Sequence, residues 1–194
     1  MNLLRQPPEE LQLLDLPIKR ILFVCLGNQC RSPMAEHLFK QILARSKNSK
    51  AKEIAVTSAS TGIYDGAPAS RKTIEVMRRR GIDLSGFRAK QVTPELIDWA
   101  DLILAMDRRN KKAIINMLPD AAAKTFTLKE YAGDDDNPDV EDPVGQPIEQ
   151  YEKCANEIED ALIKVIKKLT GMLGIKGPLK EGEVEKGFNH LSYP

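Results

Sequence analysis

The run Ile18-Lys-Arg-Ile-Leu-Phe-Val-Cys25 rises into continuous apolar residues and is cut at once by Gly27-Asn28. An uninterrupted apolar strand has to be covered on both faces, which is the situation of a strand inside a parallel sheet. Helical spacing follows immediately, with Met34, Leu38, Ile42 and Leu43 on one face. Ser32 is the expected N-cap and Pro33 the expected first helical residue. Glu36 comes one residue too late for a capping box but suits the positive end of the helix dipole.

The alternation repeats along the chain. Glu53–Ser58 reads as a second strand, and Ser70–Arg80 as a helix that Gly81 stops. Leu102–Met106 reads as a third strand, before a helix over Asn110–Met117 that Pro119 ends. Lys124–Leu128 reads as a weaker fourth strand. A long final helix over Ile148–Leu169 carries Ile148, Tyr151, Ala155, Ile158, Leu162, Val165 and Leu169 on one face. Strands alternating with helices predict a single α/β domain, a parallel sheet covered on both sides by right-handed crossovers. Such folds hold their sites at the carboxyl ends of the strands.

Boundaries follow from composition. Residues 1–17 mix leucines with Arg5, Glu9, Glu10, Asp15 and three prolines, and read as an N-terminal extension without a signal-peptide core. Residues 171–194 hold five glycines and two prolines in 24 residues and read as an irregular tail, leaving 18–170 as the domain. The whole chain is 194 residues with a formal charge of +1, a balance that argues against coating nucleic acid or anionic membrane. No apolar stretch approaches the roughly 20 residues of a membrane span. Three cysteines without a CxxC pair form no disulfide framework, so a cytoplasmic setting with reduced thiols is expected. His37 and His190 pair into no metal site, and no metal or cofactor is expected.

The segment Cys25-Leu-Gly-Asn-Gln-Cys-Arg-Ser32 sits where a doubly wound fold binds its ligand. A cysteine ending an apolar strand is by itself an ordinary small core residue. Here a strand and a helix bracket it, and the loop between is long enough to turn its N–H groups inward as an anion nest. Leu26, Gly27, Asn28, Gln29 and Cys30 would form the nest, with Gly27 and Asn28 tolerating positive φ. Arg31 offers a planar fork for two phosphoryl oxygens, and the helix N-terminus adds partial positive charge. The same field favours the Cys25 thiolate, and Ser32 can donate a hydrogen bond to its sulfur. A thiolate beneath a bound phosphoryl group can attack phosphorus and form a phosphocysteine that water then hydrolyses.

The twelve residues Cys25-Leu-Gly-Asn-Gln-Cys-Arg-Ser-Pro-Met-Ala-Glu36 resemble the phosphate loop of the low-molecular-weight protein tyrosine phosphatase family. The resemblance runs through Thr57–Gly62, Arg88–Val92, Asp101–Asp107 and Asp142-Pro143, about residues 19–170. It implies a four-stranded parallel sheet of flavodoxin-like order and metal-free hydrolysis of phosphorylated protein or peptide. It also implies a monomer or weak homodimer. Eight acidic residues lie between Glu130 and Glu149, and solvated loop charge accounts for most of them. The family's general acid stands in an Asp-Pro pair here, which implies Asp142, with Asp139 as the rival. Ser58 is implied as loop support and Tyr64 as a pocket wall. Cys30 is implied as a redox partner that captures an oxidised Cys25 as a disulfide.

Three positions depart from the family pattern. Phe87 stands where many members carry a histidine that, with Asn28 and Ser58, ties down the loop. Ser60 replaces a small glycine or alanine, a change expected to be minor. Val144 replaces an aromatic pocket wall. Gln29 bears on substrate choice, because an apolar branched residue there accompanies phosphotyrosine preference and a threonine accompanies arginine phosphatases. Phosphotyrosine is the first reading and phosphoarginine, favoured by the segment Lys124–Ala132, the alternative. Thioredoxin-coupled arsenate reduction shares the fold but needs further cysteines, and residues 86–120 contain none. A catalytically idle anion-binding module is disfavoured by the joint presence of Cys25, Arg31, Ser32 and an acid. Cys154 and Trp99 read as core, and the run Arg78-Arg79-Arg80 as a solvated helix end.

Overall fold

The apolar run near the N-terminus forms β1 (Arg20–Cys25), one of the two inner strands of a four-stranded parallel sheet. The computed structural model describes residues 18–46, 50–62 and 65–172. The remaining elements are α1 (Arg31–Arg45), β2 (Ala55–Ser60), α2 (Arg71–Arg79), α3 (Pro94–Trp99), β3 (Leu102–Ala105), α4 (Arg108–Met117), β4 (Thr125–Thr127), α5 (Leu128–Tyr131) and α6 (Ile148–Met172). Two 3-10 turns, Lys50–Glu53 and Pro119–Lys124, precede β2 and β4. The sheet order is β2-β1-β3-β4, with Cys25 opposite Ser60 on one side and Val24 opposite Ala105 on the other. Chain connections therefore leave β1 and β3 in opposite directions, and a crevice opens between their carboxyl ends.

The strand period of two divides the interior. Ile21, Phe23 and Cys25 pack with α1, α2 and α6, whose buried residues include Leu38, Phe39, Met77, Ile158 and Leu162. Leu22 and Val24 face the other core, with Ile97, Ala100 and Ile114 of the α3–α4 side. This parity decides which way the terminal Cys25 points. It faces the layer that contains α1.

Several boundaries differ from the sequence expectations. The second strand starts at Ala55 because Lys50–Glu53 winds into a 3-10 turn. The first helix starts at Arg31 with Cys30 as its N-cap, and no side chain caps it. Ser32 is not the cap, because its hydroxyl is engaged by Cys25 and Asn28 instead. The short helices α3 and α5 lie in stretches without a long apolar period. Each is capped by a threonine, Thr93 and Thr127. Arg78 and Arg79 are exposed, as a solvated end implies, and Arg79 and Arg80 also pair with Glu75, Glu152 and Asn156, the Glu152 and Asn156 pairs joining α2 to α6. The final helix runs past the expected domain limit of 170 to Met172. The N-terminal extension 1–17, His190 and most of the expected tail lie outside the described residues. Among the described residues no helix is long and apolar enough to cross a membrane.

Candidate active site

The loop after β1 is held from outside by its carbonyls. Cys25 O accepts the Thr61 N–H at 2.9 Å, and Leu26 O accepts the Gly62 N–H at 2.9 Å and the Ser60 hydroxyl at 2.5 Å. Gln29 O accepts the Ser70 N–H at 3.0 Å. In a planar peptide the N–H points opposite to the C=O. Tying the carbonyls of Leu26 and Gln29 to the surrounding scaffold therefore turns the N–H groups of Gly27 and Cys30 the other way, toward the centre of the loop, as in an anion nest. Ser60 is thus more than a small replacement. Fully buried, its hydroxyl grips the loop, which corrects the expectation that this change is minor.

Asn28 is the hub. Its φ of 50° lies in the left-handed region that asparagine tolerates better than most side chains. Its N–H points at Cys25 Sγ at 3.2 Å. Its side-chain Nδ2 donates to Ser32 Oγ at 2.9 Å and to Ser58 Oγ at 2.8 Å, and its Oδ1 accepts the Lys90 N–H at 3.1 Å. Ser58 in turn donates to the buried Glu36 Oε2 at 2.5 Å. Lys40 Nζ closes the chain on Glu36 Oε1 at 2.5 Å. Glu36 therefore serves the loop network and not only the helix dipole. Phe87, at the position of the missing histidine, lies edge-on to the His37 ring with centroids 5.8 Å apart. The Glu36 carboxylate and the Lys90 amide hold Ser58 and Asn28.

Cys25 Sγ lies 3.0 Å from Ser32 Oγ, so the sulfur has two hydrogen-bonding neighbours at the mouth of α1. Arg31 is buried beside it. One end of its guanidinium, Nη1, donates to Asp107 Oδ2 at 2.8 Å and Val140 O at 3.1 Å; the other, Nη2, donates to Asp142 Oδ2 at 2.5 Å. Burial pushes the guanidinium toward neutrality, but the charges of Asp142, Cys25 and Asp107 outweigh it and hold Arg31 above its ordinary value. Sequence reasoning gave Asp107 no role. Its signal was available: it stands two residues after β3 and its Oδ1 caps α4 through the Asn110 N–H at 2.8 Å. That is a second strand–cap–helix junction facing the first.

Asp142 and Arg31, 111 residues apart, are in direct contact, whereas the rival Asp139 binds the exposed Arg108. Val144, expected as a pocket wall, is 63% exposed. Its N–H donates to Asp142 Oδ1 at 3.2 Å. Leu26 is likewise exposed, and Gln29 is half-buried. Tyr64 lies outside the described residues. Cys30 Sγ faces Ser70 Oγ at 3.4 Å and Tyr151 OH at 4.0 Å, and burial pushes its thiol up. Cys154 is core, as expected, its thiol pushed up to about 12 by burial. A shallow cleft beside Asp142 is lined by Pro143, Gln146, Gln150, Cys154 and Glu157, and none of its lining residues belongs to the phosphate loop.

A family model described as low molecular weight phosphotyrosine protein phosphatase matches residues 20–172. The chain is 39% identical over 150 residues to the protein-arginine-phosphatase of Geobacillus stearothermophilus, covering 77% of this chain and 95% of that protein. It is 37% identical over 155 residues to a probable low molecular weight protein-tyrosine-phosphatase, EpsP, of Ralstonia nicotianae, covering 78% and 99%. Among solved structures, the low molecular weight protein tyrosine phosphatase from T. tengcongensis superposes with a TM-score of 0.69 at 41% identity, covering 77% of this chain and 98% of that one.

Proposed function

From its membership of the low molecular weight phosphotyrosine protein phosphatase family, to which this chain belongs as a cysteine-dependent hydrolase of phosphorylated protein, we propose a mechanism and a substrate. The Cys25 thiolate attacks phosphorus as the bond from phosphorus to the leaving atom breaks, and that atom takes the proton of the Asp142 carboxyl. Water then attacks the phosphocysteine. Asp142 accepts its proton, the sulfur–phosphorus bond breaks, and the electron pair returns to Cys25, where Ser32 and the Asn28 N–H receive the sulfur. Arg31 and the inward N–H groups hold the phosphoryl oxygens throughout. The observation that carries this reading is the buried Arg31 guanidinium, anchored on Asp107 and touching Asp142 while its own backbone begins α1 above Cys25. An incoming phosphoryl dianion competes with Asp142 for Nη2, so substrate binding itself frees the acid.

Phosphotyrosine is the substrate we favour, with the enzyme working in the cytoplasm as a monomer or weak homodimer and Cys30 standing by as the thiol that captures an oxidised Cys25. Phosphoarginine is the second reading. It is favoured by the 39% identity to a protein-arginine-phosphatase and by Gln29, whose amide can meet a guanidinium. Matched phosphotyrosine and phosphoarginine peptides decide between them by kcat/KM, with Cys25→Ser as the inactive control. A Gln29→Thr variant that leaves the ratio of the two rates unmoved removes Gln29 as selector. Activity on neither peptide returns the chain to an idle anion-binding module.

A further inference from the structure

Lys129 is a charged side chain only 7% exposed, on the one-turn helix α5 beneath the segment that carries Asp142. Burying an ammonium costs several kcal/mol before its partners are counted, on the order of what a paired charge recovers. An apolar side chain packed beside Leu128, Tyr131 and Val140 would stabilise the fold at least as well, so stability alone does not account for it. Its partners point to another role. Nζ binds Glu157 Oε1 of α6 at 2.8 Å, approaches Asp139 O at 3.4 Å and Asp134 Oδ2 at 3.6 Å. Two of the three belong to the acid segment, and the third belongs to a helix rooted in the main core.

We propose that Lys129 is a positioning residue for the general acid, fixing the acid segment to α6 so that Asp142 meets the leaving atom. The linkage is short. Asp139 O is held by Lys129, the next residue donates its N–H to Met106 O at 2.8 Å and offers its carbonyl to Arg31, and Asp142 follows two residues later. A general acid works only within hydrogen-bond reach of its target, and a displacement of about 1 Å costs on the order of 100-fold in rate. Exposed ties such as Arg108–Asp139 cannot supply that precision alone, because long solvated side chains hold their geometry weakly.

The inference rests on Asp142 being the acid, and the test separates the two. kcat/KM is measured on p-nitrophenyl phosphate, whose leaving group needs little protonation, and on phenyl phosphate, whose leaving group needs much. Asp142→Asn loses about 100-fold or more on phenyl phosphate and far less on p-nitrophenyl phosphate. Lys129→Met repeats that asymmetry at about tenfold, and Lys129→Arg restores most of it. Equal losses on both substrates in Lys129→Met, with Asp142→Asn still asymmetric, overturn the inference and leave the acid in place. Equal losses in Asp142→Asn overturn both. Should Lys129→Met not fold, Glu157→Gln reads the same ratio: a shift of about threefold or more supports the role, and no shift overturns it.

Discussion

Residues 25–32 and residues 133–147 meet across Arg31, yet they are held in different ways. The phosphate loop is fixed mainly by neutral donors, carbonyl by carbonyl and through the fully buried Asn28 and Ser58, with the Glu36 carboxylate and its Lys40 partner behind them. The acid segment is fixed by charges from four other elements: Arg31, Lys129, Arg108, and Lys72, whose Nζ reaches Gln146 O at 2.5 Å. Buried networks are rigid and insensitive to salt, as are the buried Arg31 and Lys129 tethers, whereas the solvent-facing Arg108 and Lys72 tethers are adjustable and screened. On the proposed mechanism an anion is gripped identically in both steps of the reaction, whereas Asp142 has to release Arg31 and follow the leaving atom. The difference teaches that the two halves of the site are built for different motions.

The largest expected effect comes from the residue that the halves share. Arg31→Lys replaces a planar fork by a single ammonium that cannot bind Asp107 and a phosphoryl group at once. A loss of about 1,000-fold in kcat/KM is expected, with weaker inhibition by inorganic phosphate, since single oxyanion contacts are worth roughly 100- to 1,000-fold. A loss confined to the asymmetric leaving-group pattern would assign Arg31 to the acid half alone. Next comes Asp107→Asn. Asparagine can keep the cap on α4 through Oδ1, but its Nδ2 then faces the buried Arg31 Nη1, so a stability loss of about 1–3 kcal/mol accompanies loss of the charge that orients Nη1. About 10- to 30-fold lower kcat/KM on both aryl phosphates is expected, because both halves depend on the guanidinium.

The same contrast explains what could be read without coordinates. The phosphate loop is legible because its working residues are consecutive and lie between an apolar strand and a helix, so local spacing carries the geometry. Its supports are not. Ser32 has the identity of a cap, yet it lies inside α1, where its oxygen accepts from Asn28 Nδ2 and sits against Cys25 Sγ. Ser60 looks like an ordinary strand residue, and only the register that sets it opposite Cys25 reveals its grip on Leu26 O. Asp107 is 76 positions from Arg31, and Lys129 is ten from Asp139 and 28 from Glu157. Ion pairs at such separations leave no periodic trace in a chain where charges are 29% of residues. Asp142, which contacts Arg31, is singled out in the sequence by the Asp-Pro pair that resembles the family, not by its surroundings.

Ser60→Ala probes the neutral half with a smaller change. The Leu26 carbonyl keeps the Gly62 N–H, so the loop loosens without opening. A loss of about 3- to 10-fold in kcat/KM is expected, equal on both aryl phosphates and matched by weaker phosphate inhibition, since one support of one oxyanion donor is removed. An asymmetric loss, larger on phenyl phosphate, would mean that the two halves move together.

The smallest effect belongs to the outermost charge tether. Burial raises the Asp139 carboxyl, but hydrogen bonds from the Arg108 side chain and N–H outweigh it and hold the group below the ordinary value of about 3.9. A carboxylate lowered in the folded state stabilises above the unfolded value, and that contribution is lost as pH falls through the folded one. Arg108→Gln keeps the backbone N–H at 2.8 Å and removes the guanidinium. Since the Arg108 side chain is 72% exposed, the pair contributes about 0–1 kcal/mol. A Tm lower by about 1–2 °C is expected between pH 5 and 7, converging on the parent protein below about pH 3.9. Turnover should fall less than about twofold, because Lys129 still holds Asp139 from the buried side. A drop in kcat/KM on phenyl phosphate as large as that of Lys129→Met would shift the anchoring of the acid from the interior to the surface, and would make the segment's position depend on ionic strength.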